Sequence, residues 1–158
     1  MKSSSLTDSF RYAWHGLRDA WRAERNIRVH VLAAFLVLYL AWLLEVRTDE
    51  FVVLCMVSGM VIVAEMANTA LEALIDLVIK KHDPLAKTAK NAAAGAVLVT
   101  SIAAVLVGIA VFGSRFANYE EQIAMLRAKL PALAVGAALF ILLFVVSVAV
   151  PLSKKSSA

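Results

Sequence analysis

Residues 51–78 read FVVLCMVSGMVIVAEMANTALEALIDLV, a segment longer than the roughly 20 apolar residues that a helix needs to cross a bilayer. Four polar side chains interrupt it: Glu65, Asn68, Glu72 and Asp76. On a helix their spacing places all four on one stripe about 80° wide. A charge at mid-bilayer costs about 2.5–3.5 kcal/mol on insertion scales. A stripe of such groups therefore marks a functional site rather than decoration.

The rest of the chain fits a membrane setting. It has 158 residues, 61% of them hydrophobic, with a mean hydropathy of +0.78, and the apolar residues gather in long runs, unlike those of a soluble domain. The formal net charge of +4 does not indicate nucleic-acid binding, because the basic residues flank apolar runs without interleaved stacking aromatics. The single Cys55 lies in an apolar run and can form no intrachain disulfide; packing is its expected role.

Four runs are expected to cross: Val31 to Leu44, Phe51 to Val78, Ala92 to Gly113, and Ala132 to Leu152. The first reaches crossing length only with its margins, His30 and Glu45. Lys2, Arg11, Arg18, Arg22, Arg25 and Arg28 precede the first run. Lys80, Lys81, Lys87 and Lys90 follow the second, and Lys154 and Lys155 follow the fourth. The first linker, by contrast, offers Arg47 against Glu45, Asp49 and Glu50. The positive-inside rule then predicts both termini in the cytoplasm.

Residues 1–28 lack the uninterrupted apolar core and small-residue site of a cleavable signal peptide. Leu6, Phe10, Ala13, Trp14, Leu17, Ala20 and Trp21 instead recur at helical spacing opposite most of the arginines. That pattern suits a basic amphipathic helix on the membrane surface, or one packed on the bundle, with Glu24 near the cytoplasmic mouth. Asp83 and Pro84 predict a helix start, with Asp as N-cap and Pro as the first helical residue. The third helix then begins in the cytosol and carries Lys87, Lys90 and Asn91 towards the bilayer. Asn118 and Glu121 form a candidate capping box for a short external helix.

Carboxylates are oxygen ligands for a divalent ion, and Mg²⁺ commonly uses one or two of them together with substrate phosphates. Lysines neutralise phosphate. Glu65 and Glu72 lie about 10 Å apart along a helix, with Glu72 near the cytoplasmic boundary and Glu65 deeper. That gradient suits transfer of phosphate from a soluble donor to a lipid hydroxyl. A proton or ion path and a polar helix seam remain open from residue types alone. No GxxxxGK[ST] or GxGxxG loop occurs, so a kinase built here uses another architecture.

The order and spacing of several elements resemble the bacterial diacylglycerol kinase and undecaprenol kinase family of small membrane lipid kinases. They are Glu24-Arg25-Asn26 with Arg28 and His30; Glu65-Met66-Ala67-Asn68-Thr69-Ala70-Leu71-Glu72 with Asp76; and Ala89-Lys90-Asn91 before Ala94-Gly95-Ala96-Val97-Leu98. Tyr12-Ala13-Trp14 and Gly16 fit as well, so the resemblance covers roughly residues 5–112.

The resemblance implies an ATP-dependent, Mg²⁺-dependent lipid kinase in the bacterial cytoplasmic membrane, acting as a homotrimer with active sites shared between neighbouring protomers. By the same resemblance, Glu65 accepts the lipid hydroxyl proton and Asn68 orients the site. Glu24 and Glu72 hold the metal and, with Tyr12, His82, Lys90 and Asn91, contact ATP; Asp76 and Arg28 support them. Asn91 stands where the family usually follows Lys with Asp, which keeps an acceptor and loses a charge. The Glu-Arg-Asn and Ala-Gly-Ala-Val-Leu elements favour undecaprenol as the lipid alcohol, with diacylglycerol as the alternative. A non-catalytic membrane protein or an ion-coupled transporter is the alternative from another class.

The expected organisation is an all-α membrane protein: a surface helix in 1–28, a three-helix kinase core in 29–113, and an external segment with a fourth crossing helix in 114–158. The last unit carries none of the groups assigned to chemistry and is expected to be a lipid-facing appendage.

Overall fold

The computed structural model describes residues 5–116 and 119–149, with the side chains of 116, 148 and 149 left aside. Lys2, Lys154, Lys155 and the candidate cap at Asn118 lie outside the described residues. Six helices follow one another: α1 (Leu6–Ala23), α2 (Arg25–Leu43), α3 (Thr48–Val78), α4 (Pro84–Phe116), α5 (Tyr119–Ala128) and α6 (Leu130–Ala149). Stretches of α2, α3, α4 and α6 are each long and apolar enough to cross a membrane. The protein is an all-α membrane protein, as the hydropathy pattern predicts.

Ser5 starts α1 by accepting the Asp8 N–H on its hydroxyl at 3.2 Å. Phe10, Trp14 and Leu17 stay exposed, so the bundle leaves the apolar face of α1 open, the disposition expected of a membrane-surface helix rather than a packed one. One extended residue, Glu24 (φ −120°, ψ 123°), separates α1 from α2. The first crossing helix thus begins at Arg25, six residues ahead of Val31, and 19 helical residues supply the length that the apolar run alone lacked.

At its other end α2 closes with the Val46 N–H on Ala41 O at 3.1 Å and the Glu45 N–H on Trp42 O at 3.2 Å. This is the double bond of a Schellman cap. Glu45 occupies its left-handed position at φ 49°, where a side chain other than Gly costs roughly 1–2 kcal/mol. Lys129 offsets part of that cost, donating to Glu45 Oε1 at 2.6 Å and to Leu43 O at 2.8 Å.

The helices α3 and α4 form a long antiparallel hairpin. Asp83 caps α4 as predicted, accepting the Leu85 N–H at 2.7 Å and the Ala86 N–H at 3.2 Å. Ala41, Leu54 and Val111 form the buried centre where α2, α3 and α4 meet, flanked by Val37, Phe51 and Phe112. Ion pairs close both ends of the hairpin, Lys90 with Asp76 at 2.5 Å and Arg115 with Glu50 at 2.6 Å. At 31 and 33 residues, α3 and α4 run to about 46–50 Å, well beyond a hydrocarbon core of about 30 Å. Their ends therefore stand in water or headgroups.

The fourth crossing helix, α6, spans Leu130–Ala149 and lies antiparallel on α2. Tyr39 Oη donates to Ala132 O near the start of α6, and Arg28 Nη1 donates to Ser147 O near its end at 2.5 Å. Gly136 faces the Tyr39 ring so closely that a Cβ there would overlap it. Much of the remaining surface of α6 is open, including Val135, Ile141 and Phe144. The outer surface of α6 is thus open, whereas its other face is packed against α2 rather than free as the reading of a mere appendage expects.

Candidate active site

The polar stripe of α3 is graded by burial. Glu65 is 2% exposed and Asn68 9%, whereas the Asp76 side chain is 51% exposed; Glu72 is intermediate. Counting from Phe51 at about 1.5 Å per residue, Glu65 lies roughly 21 Å into the helix and Glu72 roughly 31 Å, near the far edge of a 30 Å core.

Along the stripe Asn68 Nδ2 donates to Glu72 Oε1 at 3.3 Å. Asn68 Oδ1 is buried with no hydrogen-bond partner among the described residues. A buried acceptor left open is costly, of order 1–3 kcal/mol, and such atoms concentrate where a ligand completes the set. Thr69 turns its hydroxyl back to Glu65 O at 3.0 Å and so takes no part in the stripe.

At the end where α3 passes into α4, a cleft of about 260 Å³ is lined by Asp76, Lys81, His82, Asp83, Lys87, Lys90 and Asn91 together with Ile75, Ile79 and Ala86. Four of the residues singled out from sequence meet here: Asp76, His82, Lys90 and Asn91. The Asp76 carboxylate holds Lys90, and an ammonium with three donors can keep that pair while donating to a phosphate. Lys81 and Lys87 also line the cleft and were read from sequence only as topology signals. Their positions either side of the Asp83–Pro84 turn were the available clue.

Tyr12 is not brought to this cleft. It lies on α1 about 18 Å along the helix from Glu24, with the Arg11 guanidinium 5.5 Å above its ring. Glu24 sits half-buried in the α1–α2 turn. Just beyond it, Arg28 is 4% exposed, and its guanidinium donates to Trp21 O at 2.7 Å and Arg22 O at 3.1 Å, closing the end of α1.

Among the described residues no cluster of three or more His, Cys, Asp or Glu could by itself hold a metal. The available donors, Glu24, Glu72 and the open Asn68 Oδ1, are all oxygens. Oxygen donors of this kind suit a hard cation that draws its remaining ligands from phosphate and water. A second, larger hollow of about 650 Å³ lies between α2, α3 and α4, lined mainly by apolar residues with His30, Ser58 and Ser101.

The sequence pattern of the family described as prokaryotic diacylglycerol kinase matches residues 11–112, which end inside α4. A diacylglycerol kinase of Synechocystis sp. is 44% identical over 105 residues, covering 66% of this chain and 60% of that protein. An undecaprenol kinase of Bacillus subtilis is 39% identical over 104 residues, covering 66% of this chain and 85% of that protein. A diacylglycerol kinase of Escherichia coli is 32% identical over 105 residues, covering 66% of this chain and 86% of that protein. The match thus spans somewhat under two thirds of the Synechocystis protein and most of the other two. All the residues assigned to chemistry fall within the matched segment. On this evidence the chain belongs to the prokaryotic diacylglycerol kinase family.

Proposed function

We propose that the protein is a lipid kinase that transfers the γ-phosphoryl group of ATP to a membrane lipid alcohol, with undecaprenol as the substrate. The observation that carries this reading is the graded stripe: a buried carboxylate, Glu65, leads through Asn68 and Glu72 towards a lysine-lined cleft at the inner end of the α3–α4 hairpin. One end suits a lipid hydroxyl and the other a soluble polyphosphate.

Glu65 accepts the proton of the lipid hydroxyl as its oxygen bonds to the γ-phosphorus. The bridging bond to the β-phosphate breaks, and ADP leaves with the electron pair. Lys90, held by Asp76, and the neighbouring Lys81 and Lys87 neutralise phosphate in the cleft. His82 and Asn91 line the same cleft, within reach of a nucleotide there. Glu24 and Glu72 would hold Mg²⁺, which supplies charge neutralisation on the nucleotide phosphates when bound. Asn68 orients this set. Tyr12, remote from the cleft in its own protomer, suits a site completed by a neighbouring copy, as in a homotrimer with shared active sites. The basic flanks of α2 and α4 support a cytoplasmic N-terminus in a bacterial inner membrane.

Two substrate readings have support. The Glu24-Arg25-Asn26 and Ala94-Gly95-Ala96-Val97-Leu98 elements favour undecaprenol, whereas the 44% identity to a protein named diacylglycerol kinase favours diacylglycerol. Purified protein in mixed micelles with Mg-ATP and each lipid separates them. The expected result is ATP consumption only when a lipid alcohol is present, faster with undecaprenol. Faster turnover of diacylglycerol reverses the substrate assignment. No lipid-dependent ATP consumption, with solute movement across sealed vesicles instead, replaces the kinase by a transporter.

A further inference from the structure

Arg28 is a buried cation near the inner end of α2, and a buried guanidinium is tolerated only when its donors are occupied. Two of its bonds, to Trp21 O and Arg22 O, close the end of α1 immediately before Glu24. Another runs to Ser147 O, in the last turn of α6. That turn lies outside the segment matched by the family, so the contact belongs to this chain's own extension. The carbonyl ends of α1 and α6 both carry the partial negative charge of a helix C-terminus, and both are directed at one cation. Ser147 is itself only 5% exposed, so the last turn of α6 is seated rather than merely adjacent.

We propose that the inner end of α6 is a positioning element for the nucleotide site: through its Ser147 carbonyl it orients Arg28, and Arg28 fixes the α1–α2 turn that presents Glu24. The inference rests on the assignment of Glu24 to metal-nucleotide binding. Lys cannot replace Arg28 in this role, because a single ammonium lacks the planar fork that reaches carbonyls on two helices. Partners that orient a metal ligand typically change metal affinity or activity by about 10- to 100-fold when altered.

The test uses the full chain, with Mg-ATP titrated at saturating lipid and lipid titrated at saturating Mg-ATP. Ser147→Leu places bulk in the buried seat and lifts the last turn of α6 from Arg28; Ser147→Val does so with less bulk and answers the question if the Leu variant inserts poorly. Arg28→Lys removes the fork directly. The Michaelis constant for Mg-ATP is expected to rise by about 10-fold in the Leu variant and in Arg28→Lys, with a smaller rise for Val, while the constant for lipid and kcat at saturating nucleotide stay unchanged. The double variant Ser147→Leu with Arg28→Lys should be no worse than Arg28→Lys alone, because both cut one chain of contacts. Tyr39→Phe, which removes the outer tether of α6, should leave the Mg-ATP constant unchanged. An unaltered Mg-ATP constant in the Ser147 variants, an equal rise in the lipid constant, or fully additive losses overturns the proposal. Glu24→Gln distinguishes the two levels. If it raises the Mg-ATP constant while the Ser147 variants are silent, only the role of α6 falls; if Glu24→Gln is itself silent, the metal assignment falls and takes this proposal with it.

Discussion

The α3–α4 hairpin and the α2–α6 pair are both antiparallel helix pairs in the same membrane, held in different ways. The hairpin is clamped by side chain on side chain, Asp76 with Lys90 at the end with the α3–α4 turn and Glu50 with Arg115 at the opposite end. The α2–α6 pair is held by side chains reaching main-chain carbonyls: Arg28 to Ser147 O, Tyr39 to Ala132 O, and Lys129, at the start of α6, to Leu43 O. The first mode needs a complementary residue at each end. The second leaves the identity of the accepting residue undefined, so one partner of each such contact is invisible in a sequence; the Lys129–Glu45 ion pair is the exception.

The largest expected effect tests whether the hairpin alone carries the chemical step. Glu65→Gln keeps the shape and cannot take a proton, so lipid phosphorylation should fall by about 10²- to 10⁴-fold, with membrane insertion and oligomer size unchanged. Turnover near the unsubstituted rate would remove Glu65 as the base. Next, Glu72→Ala deletes the proposed Mg²⁺ ligand and a partner of Asn68. A magnesium titration should show apparent affinity weakened by about 10-fold or more, and an unshifted titration would dismiss the assignment.

A smaller effect tests the other pair. Any side chain at position 136 meets the Tyr39 ring, so Gly136→Val should destabilise the α2–α6 contact by about 1–3 kcal/mol. Lowered thermal stability in detergent reports this, and an unchanged melting profile would show that α6 repacks freely on α2. The smallest effect returns to the cleft. Asn91→Asp restores a carboxylate beside Lys90, and if charge organises that lysine, turnover at limiting ATP should rise by at most about fivefold, since an exposed charge pair is worth about 1 kcal/mol or less. No change means that the Asn carbonyl already serves as acceptor. A marked loss means that the nucleotide site is arranged differently from the family pattern.

The same distinction explains what could be read in advance. Hydropathy located α3, α4 and α6 to within a few residues at most ends, and helical spacing placed Glu65, Asn68, Glu72 and Asp76 on one stripe that the structure keeps together. The Asp83–Pro84 start of α4 was legible because capping chemistry is local. The start of α2 was not, because Arg25 to His30 are polar enough to look like a margin and become helical through the burial of Ile27 and Arg28. The seating of α6 was equally hidden. Gly136 and Ser147 are unremarkable in a crossing helix, and only the Tyr39 ring and the Arg28 guanidinium give them meaning.

The contacts of α6 also set an order of events during synthesis. Glu45 waits for a partner 84 residues downstream and Arg28 for one 119 residues downstream. At about 5–20 residues per second, those intervals are about 4–17 s and 6–24 s. During them α3 and α4 are made, while α2 carries a strained cap without its lysine and an arginine short of one acceptor. The nascent protein therefore passes through a long-lived state in which one flank of α2 is open to lipid, to the insertion machinery, or to α6 of another copy.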